Sequence, residues 1–242
     1  MSTQLRYAPH ISLSAVGQAG QDKILAAKIL LVGLGGLGCP VAQYLVGSGI
    51  GKLLLCDFDT VSERNLARQL LFTQADTGRL KTDVARERLT DINPHTKIEV
   101  YPDRVDRAFL QSALPQYDLL VDASDNYGTR LAINQACLQT HTPWVMGSCI
   151  RLEGQVILYR PANPESPCYR CTYGQAPETL EDCPGAGIFA PVAGMIGTAM
   201  AQLALAGIAG IKTTADLNLL DAEQMHWKKL KVKKNSQCQH CG

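Results

Sequence analysis

"LLVGLGGLGCP", Leu30 to Pro40, is the stretch that decides the fold. An apolar run meets Gly33-x-Gly35-x-x-Gly38 and then a segment of helical composition in which Pro40 suits the first turn. Glycines at 33, 35 and 38, with Gly36 beside them, let a backbone turn tightly and approach a phosphate. The N–H groups opening the following helix point at that phosphate. "KLLLCDFD" (Lys52 to Asp59) reads as the next buried strand. Asp57 falls about 20 residues past the last glycine, where a carboxylate accepts from ribose hydroxyls. A dinucleotide-dependent oxidoreductase and a nucleotide-activating enzyme both fit this much.

The surrounding pattern alternates strand and helix. After an N-terminal arm come the glycine-loop unit, the Lys52 strand, a helix over Lys81 to Ile92, the strand "KIEVYP", the strand "DLLVDASDN" (Asp118 to Asn126) and the helix "RLAINQACLQT". Such alternation predicts an α/β fold with a doubly wound, mostly parallel sheet. Beyond residue 150 a strand, "GQVILY", leads into a stretch rich in Pro, Gly and acidic residues. "DLNLLD" and "MHWKKLKV" then read as an antiparallel hairpin. With no clear linker, residues 1–242 read as a single domain, its nucleotide-binding part at about 20–150 and an elaborated part at about 151–242.

Composition narrows the function. The 23 basic and 22 acidic side chains nearly cancel, leaving no global field to draw the chain onto nucleic acid or an anionic membrane. The densest charge run, "KKLKVKK" (Lys228 to Lys234), alternates as the solvent face of a late strand would. Ile188 to Ile211 carries no charge and is long enough to span a bilayer, but its Ala and Gly content predicts a close-packed buried helix. The first ten residues lack the charged start and apolar run of a signal peptide, so a cytoplasmic protein is expected.

The polar residues beyond the second strand separate the two enzyme classes. "DFDTVSERNLARQ" places Asp59, Asn65, Arg68 and Gln69 where a ribose and phosphates would lie; Lys81 follows, and Asp125 with Asn126 ends the third strand of the unit. Hydride transfer has no use for an Arg and a Lys beside the phosphates. A triphosphate does, because these cations offset charge during attack on phosphorus, and Asp125 can hold Mg²⁺.

Nine cysteines in a reducing compartment suggest metal or catalysis before disulfides. Cys168-x-x-Cys171 and Cys238-x-x-Cys241 each give two sulfurs the bite of one side of a tetrahedral Zn²⁺. Four thiolates leave no open position, so the site is expected to be structural, with His240 a bystander. Cys39, Cys56, Cys137 and Cys149 read as core residues. Cys183, in "LEDCPGAG", reads equally as a nucleophile or as an ordinary loop residue, since Glu181 and Asp182 would raise its pKa.

Taken in order, the glycine loop, Asp57, Asn65-x-x-Arg68, Lys81, Asp125 and two C-x-x-C pairs resemble the MoeB/ThiF family of adenylyltransferases, relatives of the ubiquitin-activating enzymes. The resemblance implies a homodimer that binds MgATP and adenylates the C-terminal Gly-Gly tail of a ubiquitin-like sulfur-carrier protein. It implies phosphates cradled at Gly36, the ribose on Asp57, the triphosphate on Asn65, Arg68 and Lys81, and Mg²⁺ on Asp125. A crossover segment from about Thr172 to Gly187 would pass over the partner's tail, and Cys183 matches a thiol that thiamine-pathway members join to their carrier. "IRLEGQV" (Ile150 to Val156) is similar to the molybdopterin-synthase branch and "LLFTQAD" (Leu70 to Asp76) to the thiamine branch; the first lies nearer the expected tail and favours molybdenum-cofactor biosynthesis. Two departures stand out. "RYAPH" puts Pro9 where the family carries an Arg that reaches the neighbouring subunit's ATP, leaving Arg6 as a substitute, and Leu203 and Ala206 replace a Glu and a Lys. A zinc-stabilised binding protein with weakened catalysis is therefore the alternative.

Overall fold

A computed structural model of the chain describes residues 3–174 and 187–242. Strands β1 (Lys28–Val32), β2 (Lys52–Cys56), β3 (Lys97–Tyr101), β4 (Leu119–Asp122) and β5 (Trp144–Ile150) run parallel in the order β3-β2-β1-β4-β5. Strands β6 (Glu153–Tyr159), β7 (Leu217–Asp221) and β8 (His226–Leu230) extend the same sheet antiparallel. The unbroken apolar runs of β1, β2 and β4 follow from being covered on both faces.

Helices α2 (Gly17–Ala26), α3 (Gly38–Gly47), α4 (Lys81–Ile92) and α8 (Ala190–Ala209) cover one face; α5 (Arg107–Ala113), α6 (Tyr127–Thr140) and α7 (Tyr169–Tyr173) cover the other. The expected N-terminal arm is instead helical, with α1 (Thr3–Ile11) packed on α2, and α5 was not foreseen. Both departures have the same cause: short helices with mixed polarity lack a clean 3.6-residue stripe.

The uncharged segment is α8, whose residues Val192, Ile196, Met200 and Ala204 are buried in the core. It passes a length and hydropathy test for a membrane span, yet half of that window lies inside the fold. Its glycine and alanine content has a geometric reason: a Cβ on Gly197 would stand 2.5 Å from the Leu37 carbonyl oxygen, and Cβ atoms on Gly147 and Gly154 would run into Met200 and Ile196. Leu203 packs against the core and Ala206 is buried, so both departures from the family pattern face inward rather than water. The hairpin β7–β8 forms as expected, but β8 does not alternate. All five of its residues are exposed, because it is the outermost strand and no helix among the described residues covers it.

Candidate functional site

The chain leaves β1 to build β2 and β3 on one side and returns to build β4 and β5 on the other. At such a switch point the loops beyond the strand ends diverge and open a crevice. Here it is a cleft of about 850 Å³, lined by Gly33, Gly35, Gly36, Asp57, Asp59, Asn65, Arg68, Gln69, Lys81, Asp125 and Asn126. Every residue expected from the nucleotide pattern therefore converges on one cavity except Gly38.

Gly38 sits behind the loop. A Cβ there would collide with the Gly33 carbonyl, and Gly33 itself has φ +90 with the Ala123 carbonyl oxygen 2.8 Å from any added Cβ. These two glycines close the turn; Gly35 and Gly36 line the cavity. A Cβ on Gly36 would come within 3.1 Å of Ala193 and 3.3 Å of Arg68 Cγ, so this glycine lets the start of α8 and the Arg68 stem close on the loop.

Asp57 follows β2 and is buried. Its Oδ2 accepts from the Leu34 N–H at 2.6 Å and its Oδ1 from the Asp59 N–H at 2.8 Å. The carboxylate thus staples the glycine loop to the end of β2 while keeping lone pairs for hydroxyl donors. Burial raises its pKa, against the nearby Lys81 charge and the two backbone N–H bonds. Lys81, at the start of α4, places Nζ 2.9 Å from Asp59 and 3.9 Å from Asp57. Across the cavity Arg68 donates to Asn65 Oδ1 at 2.9 Å. Gln69 is buried in the wall, and its Oε1 has no hydrogen-bond partner among the described residues.

Asp125 is exposed at the cavity mouth, between two Asx-type turns. Asp122 Oδ1 accepts from the Ser124 N–H at 2.9 Å, and Asn126 Oδ1 accepts from the Thr129 N–H at 2.8 Å, capping α6. The residues on both sides of Asp125 are fixed, and its own carboxylate is left facing the cavity. An exposed carboxylate at the rim of this cavity offers oxygen ligands of the kind a Mg²⁺ ion takes.

The cavity also recruits residues that the sequence did not single out, Arg64, Arg104 and Ser124, and takes in Ile150 from the "IRLEGQV" stretch. Arg104 follows β3 at the same end as Asp57, and its guanidinium lies 4.0 Å from the Phe58 ring centroid. The rule that ligands bind beyond the strand C-termini would have found it. Cys149 is a correction. Expected in the core, it is half-buried in the cavity wall, because β5 runs past the cavity edge; burial lifts its thiol to about 11, with Arg130 and Arg68 pulling down. Cys39, Cys56 and Cys137 are buried as expected, and burial pushes Cys39 up to about 12. Cys183 and most of the crossover segment lie outside the described residues.

At the opposite end of α6, Cys168, Cys171, Cys238 and Cys241 gather with all four sulfurs within 4.8 Å of one another. The Sγ separations of 3.8, 3.7 and 3.5 Å match the edge of a tetrahedron, about 3.8 Å for Zn–S bonds near 2.3 Å. The donor set fits Zn²⁺ with no position left open. Cys168 opens α7, and its neighbour Tyr169 donates its N–H to Asn134 Oδ1 of α6 at 2.9 Å, so the cluster is tied to the helix that presents Asp125. Arg6, the candidate substitute for the missing Arg, donates to the Ile92 carbonyl at the end of α4 and does not line this chain's cavity.

A doubly wound sheet, a glycine loop at its switch point and two cations, Arg68 and Lys81, on the same cavity define an α/β protein of the nucleotide-binding type. The chain belongs to the ThiF family, whose sequence profile matches residues 7–240. It is 38% identical over 239 residues to the sulfur carrier protein ThiS adenylyltransferase of Escherichia coli, spanning 98% of this chain and 95% of that one. It is also 38% identical over 240 residues to the molybdopterin-synthase adenylyltransferase of the same organism, spanning 98% and 96%. Among solved structures, MccB of Escherichia coli superposes with a TM-score of 0.88 at 23% identity, covering 98% of this chain and 75% of that one, a likeness of fold.

Proposed function

We propose that this chain is an ATP-dependent adenylyltransferase that activates the C-terminal Gly-Gly carboxylate of a ubiquitin-like sulfur-carrier protein in the cytoplasm, and that it works as a homodimer. The observation that carries the reading is the convergence of Arg68 and Lys81 with the glycine loop and Asp57 on one cavity. The names of the two full-length relatives support the same chemistry.

In this reading the loop amides at Gly35 and Gly36 hold phosphate oxygens, Asp57 accepts from the ribose hydroxyls, and Asn65 orients Arg68 toward the triphosphate. The carrier's terminal carboxylate, already ionised at neutral pH, needs no general base. One of its oxygens bonds to the α-phosphorus while the bond from that phosphorus to the α–β bridging oxygen breaks. Acyl-adenylate forms and pyrophosphate leaves. Arg68 and Lys81 offset the charge that builds on the phosphates, so catalysis is positioning plus electrostatics. Asp125 would hold Mg²⁺, which supplies further neutralisation of the leaving pyrophosphate. The four cysteines would hold a structural Zn²⁺ that pins the C-terminal segment to α7.

Relatives of equal identity carry thiamine-pathway and molybdopterin-pathway names. "IRLEGQV" lies on β5, the turn and β6, and Ile150 reaches the cavity wall, so this stretch supports the molybdopterin-synthase carrier over the thiamine one. ATP–pyrophosphate exchange measured with each carrier tests the proposal. Exchange with one Gly-Gly-ended carrier, lost by at least 100-fold in Arg68→Ala, is expected. Absence of exchange with either carrier, or protection from heat by NAD and not by MgATP, overturns it.

A further inference from the structure

The functional reading leaves one buried carboxylate without a task. Asp122 ends β4 with no solvent exposure, and its Oδ2 has no hydrogen-bond partner among the described residues. A lone buried carboxylate is costly, so something must offset it. Arg130, one turn into α6, supplies the charge: it acts against the burial that raises Asp122's pKa. Its terminal nitrogen donates to the Ser124 carbonyl at 2.7 Å, while its Nε has no partner among the described residues. Asp122 meanwhile grips the other side of Ser124, accepting from its N–H at 2.9 Å and from its hydroxyl at 2.6 Å. Ser124 is therefore clamped at its N–H, hydroxyl and carbonyl by two oppositely charged side chains, neither of which lines the cavity.

The residue after Ser124 is Asp125. We propose that Arg130 is a positioning residue: with Asp122 it locks the Ser124 peptide so that the Asp125 carboxylate meets a divalent cation at one fixed place and angle. The proposal rests on the adenylyltransferase reading for the cation's task, and on the clamp alone for the geometry. Arg130 faces Tyr169 and Tyr173 of α7 on its other side, where its charge counters the upward shift that burial gives both phenols.

Two measurements on Arg130→Met, Arg130→Lys and Asp122→Asn test this. The first is hydrogen exchange of the intact protein without nucleotide. Amides from Ser124 to Thr129 are expected to exchange at least tenfold faster in Arg130→Met, with β1 and β2 amides unchanged and Arg130→Lys largely restored. The second is the Mg²⁺ concentration giving half-maximal pyrophosphate exchange, expected to rise at least tenfold in Arg130→Met. Affinity for metal-free ATP should stay within threefold, because the glycine loop, Arg68 and Lys81 are untouched. Unchanged exchange at Ser124 to Thr129, equal acceleration throughout the sheet, or a fall in kcat with no change in Mg²⁺ requirement would each overturn the proposal. If Arg130→Met does not fold, Asp122→Asn carries the same two readouts, with the same losses expected. If the wild-type protein activates no carrier, the functional reading fails, and the hydrogen-exchange arm still decides the clamp.

Discussion

The Lys81 ammonium lies 2.9 Å from the Asp59 carboxylate, and the two differ sharply in exposure: the lysine side chain is 4% exposed and the aspartate 52%. A cation on the first residue of a helix opposes the helix dipole, and a buried one also loses its hydration. Asp59 and the more distant Asp57 make the placement tolerable. A local rule is broken where the proposed chemistry uses a fixed positive charge. Lys81→Met is therefore expected to leave two carboxylates side by side, lower carrier adenylation by about 100-fold, which corresponds to about 2.7 kcal/mol, and raise the Asp57 pKa further. Pyrophosphate exchange across pH 5 to 8 measures both; a variant with normal rate and an unchanged pH profile would remove Lys81 from the site.

Gly38 gives a structural prediction separable from chemistry. Its Cβ would strike the backbone carbonyl of Gly33, which cannot move without opening the turn. Gly38→Ala is expected to cost about 3 kcal/mol, the upper end for overpacking, and to abolish ATP binding even where the protein stays folded. Gly35→Ala meets only Gln69 Nε2 at 3.8 Å, so it should fold normally. Denaturant midpoints and nucleotide titration of the two variants distinguish these outcomes; equal stability would show that the turn can relax.

The cysteine cluster predicts one zinc per chain by metal analysis. Cys238→Ser should lose the metal and release the segment after β8, which otherwise rests on few apolar contacts, Val232 among them. Limited proteolysis is expected to cut between Lys231 and Gln237 in the variant or after chelation, and not in the loaded protein. Resistance in both would mean that packing, not metal, holds this segment.

Asp76 sets an acid limit. It is buried and accepts from the Thr73 N–H at 2.8 Å, the Thr73 hydroxyl at 2.7 Å and Arg88 at 2.8 Å. Burial alone would raise its pKa; the Thr73 bonds and the Arg88 charge outweigh it, and the net shift is downward. A depressed carboxylate stabilises the fold above its unfolded pKa of about 3.9, and that contribution fades as pH falls through the folded value. Asp76→Asn is expected to cost about 1–2 kcal/mol at pH 7 and progressively less below about pH 4. Chemical denaturation at pH 7 and pH 3.5 checks this; a penalty independent of pH would assign the effect to lost hydrogen bonds alone.

Legibility followed physical cause. The switch-point cavity could be read because glycine spacing, an acid at a strand end and runs of pure apolar strand each have few structural solutions. Lys81 to Ile92 was bounded correctly by its own pattern. Cys149 was misplaced because it sits in an apolar run, and nothing in "WVMGSCI" says where a central strand emerges from cover. Asp122 and Arg130 are not marked in the sequence because both meet at Ser124, largely through its backbone N–H and carbonyl, and a backbone partner leaves no residue pattern. Arg104 was missed for a different reason: it lies in a short polar loop, "PDRVD", where any residue could be surface.

The sheet's two open borders differ in charge. On β8 the exposed residues include Lys228 and Lys229, with Lys231 and Lys233 just beyond; on β3, Glu99 pairs with both Lys97 and Lys52 of β2. A second copy sliding strand against strand at the β8 border would set lysine opposite lysine, a repulsion that guards against endless sheet growth. Pairing of two copies through β8 is thereby disfavoured, and a strand that docks by extending β8 would have to bring acidic side chains with it.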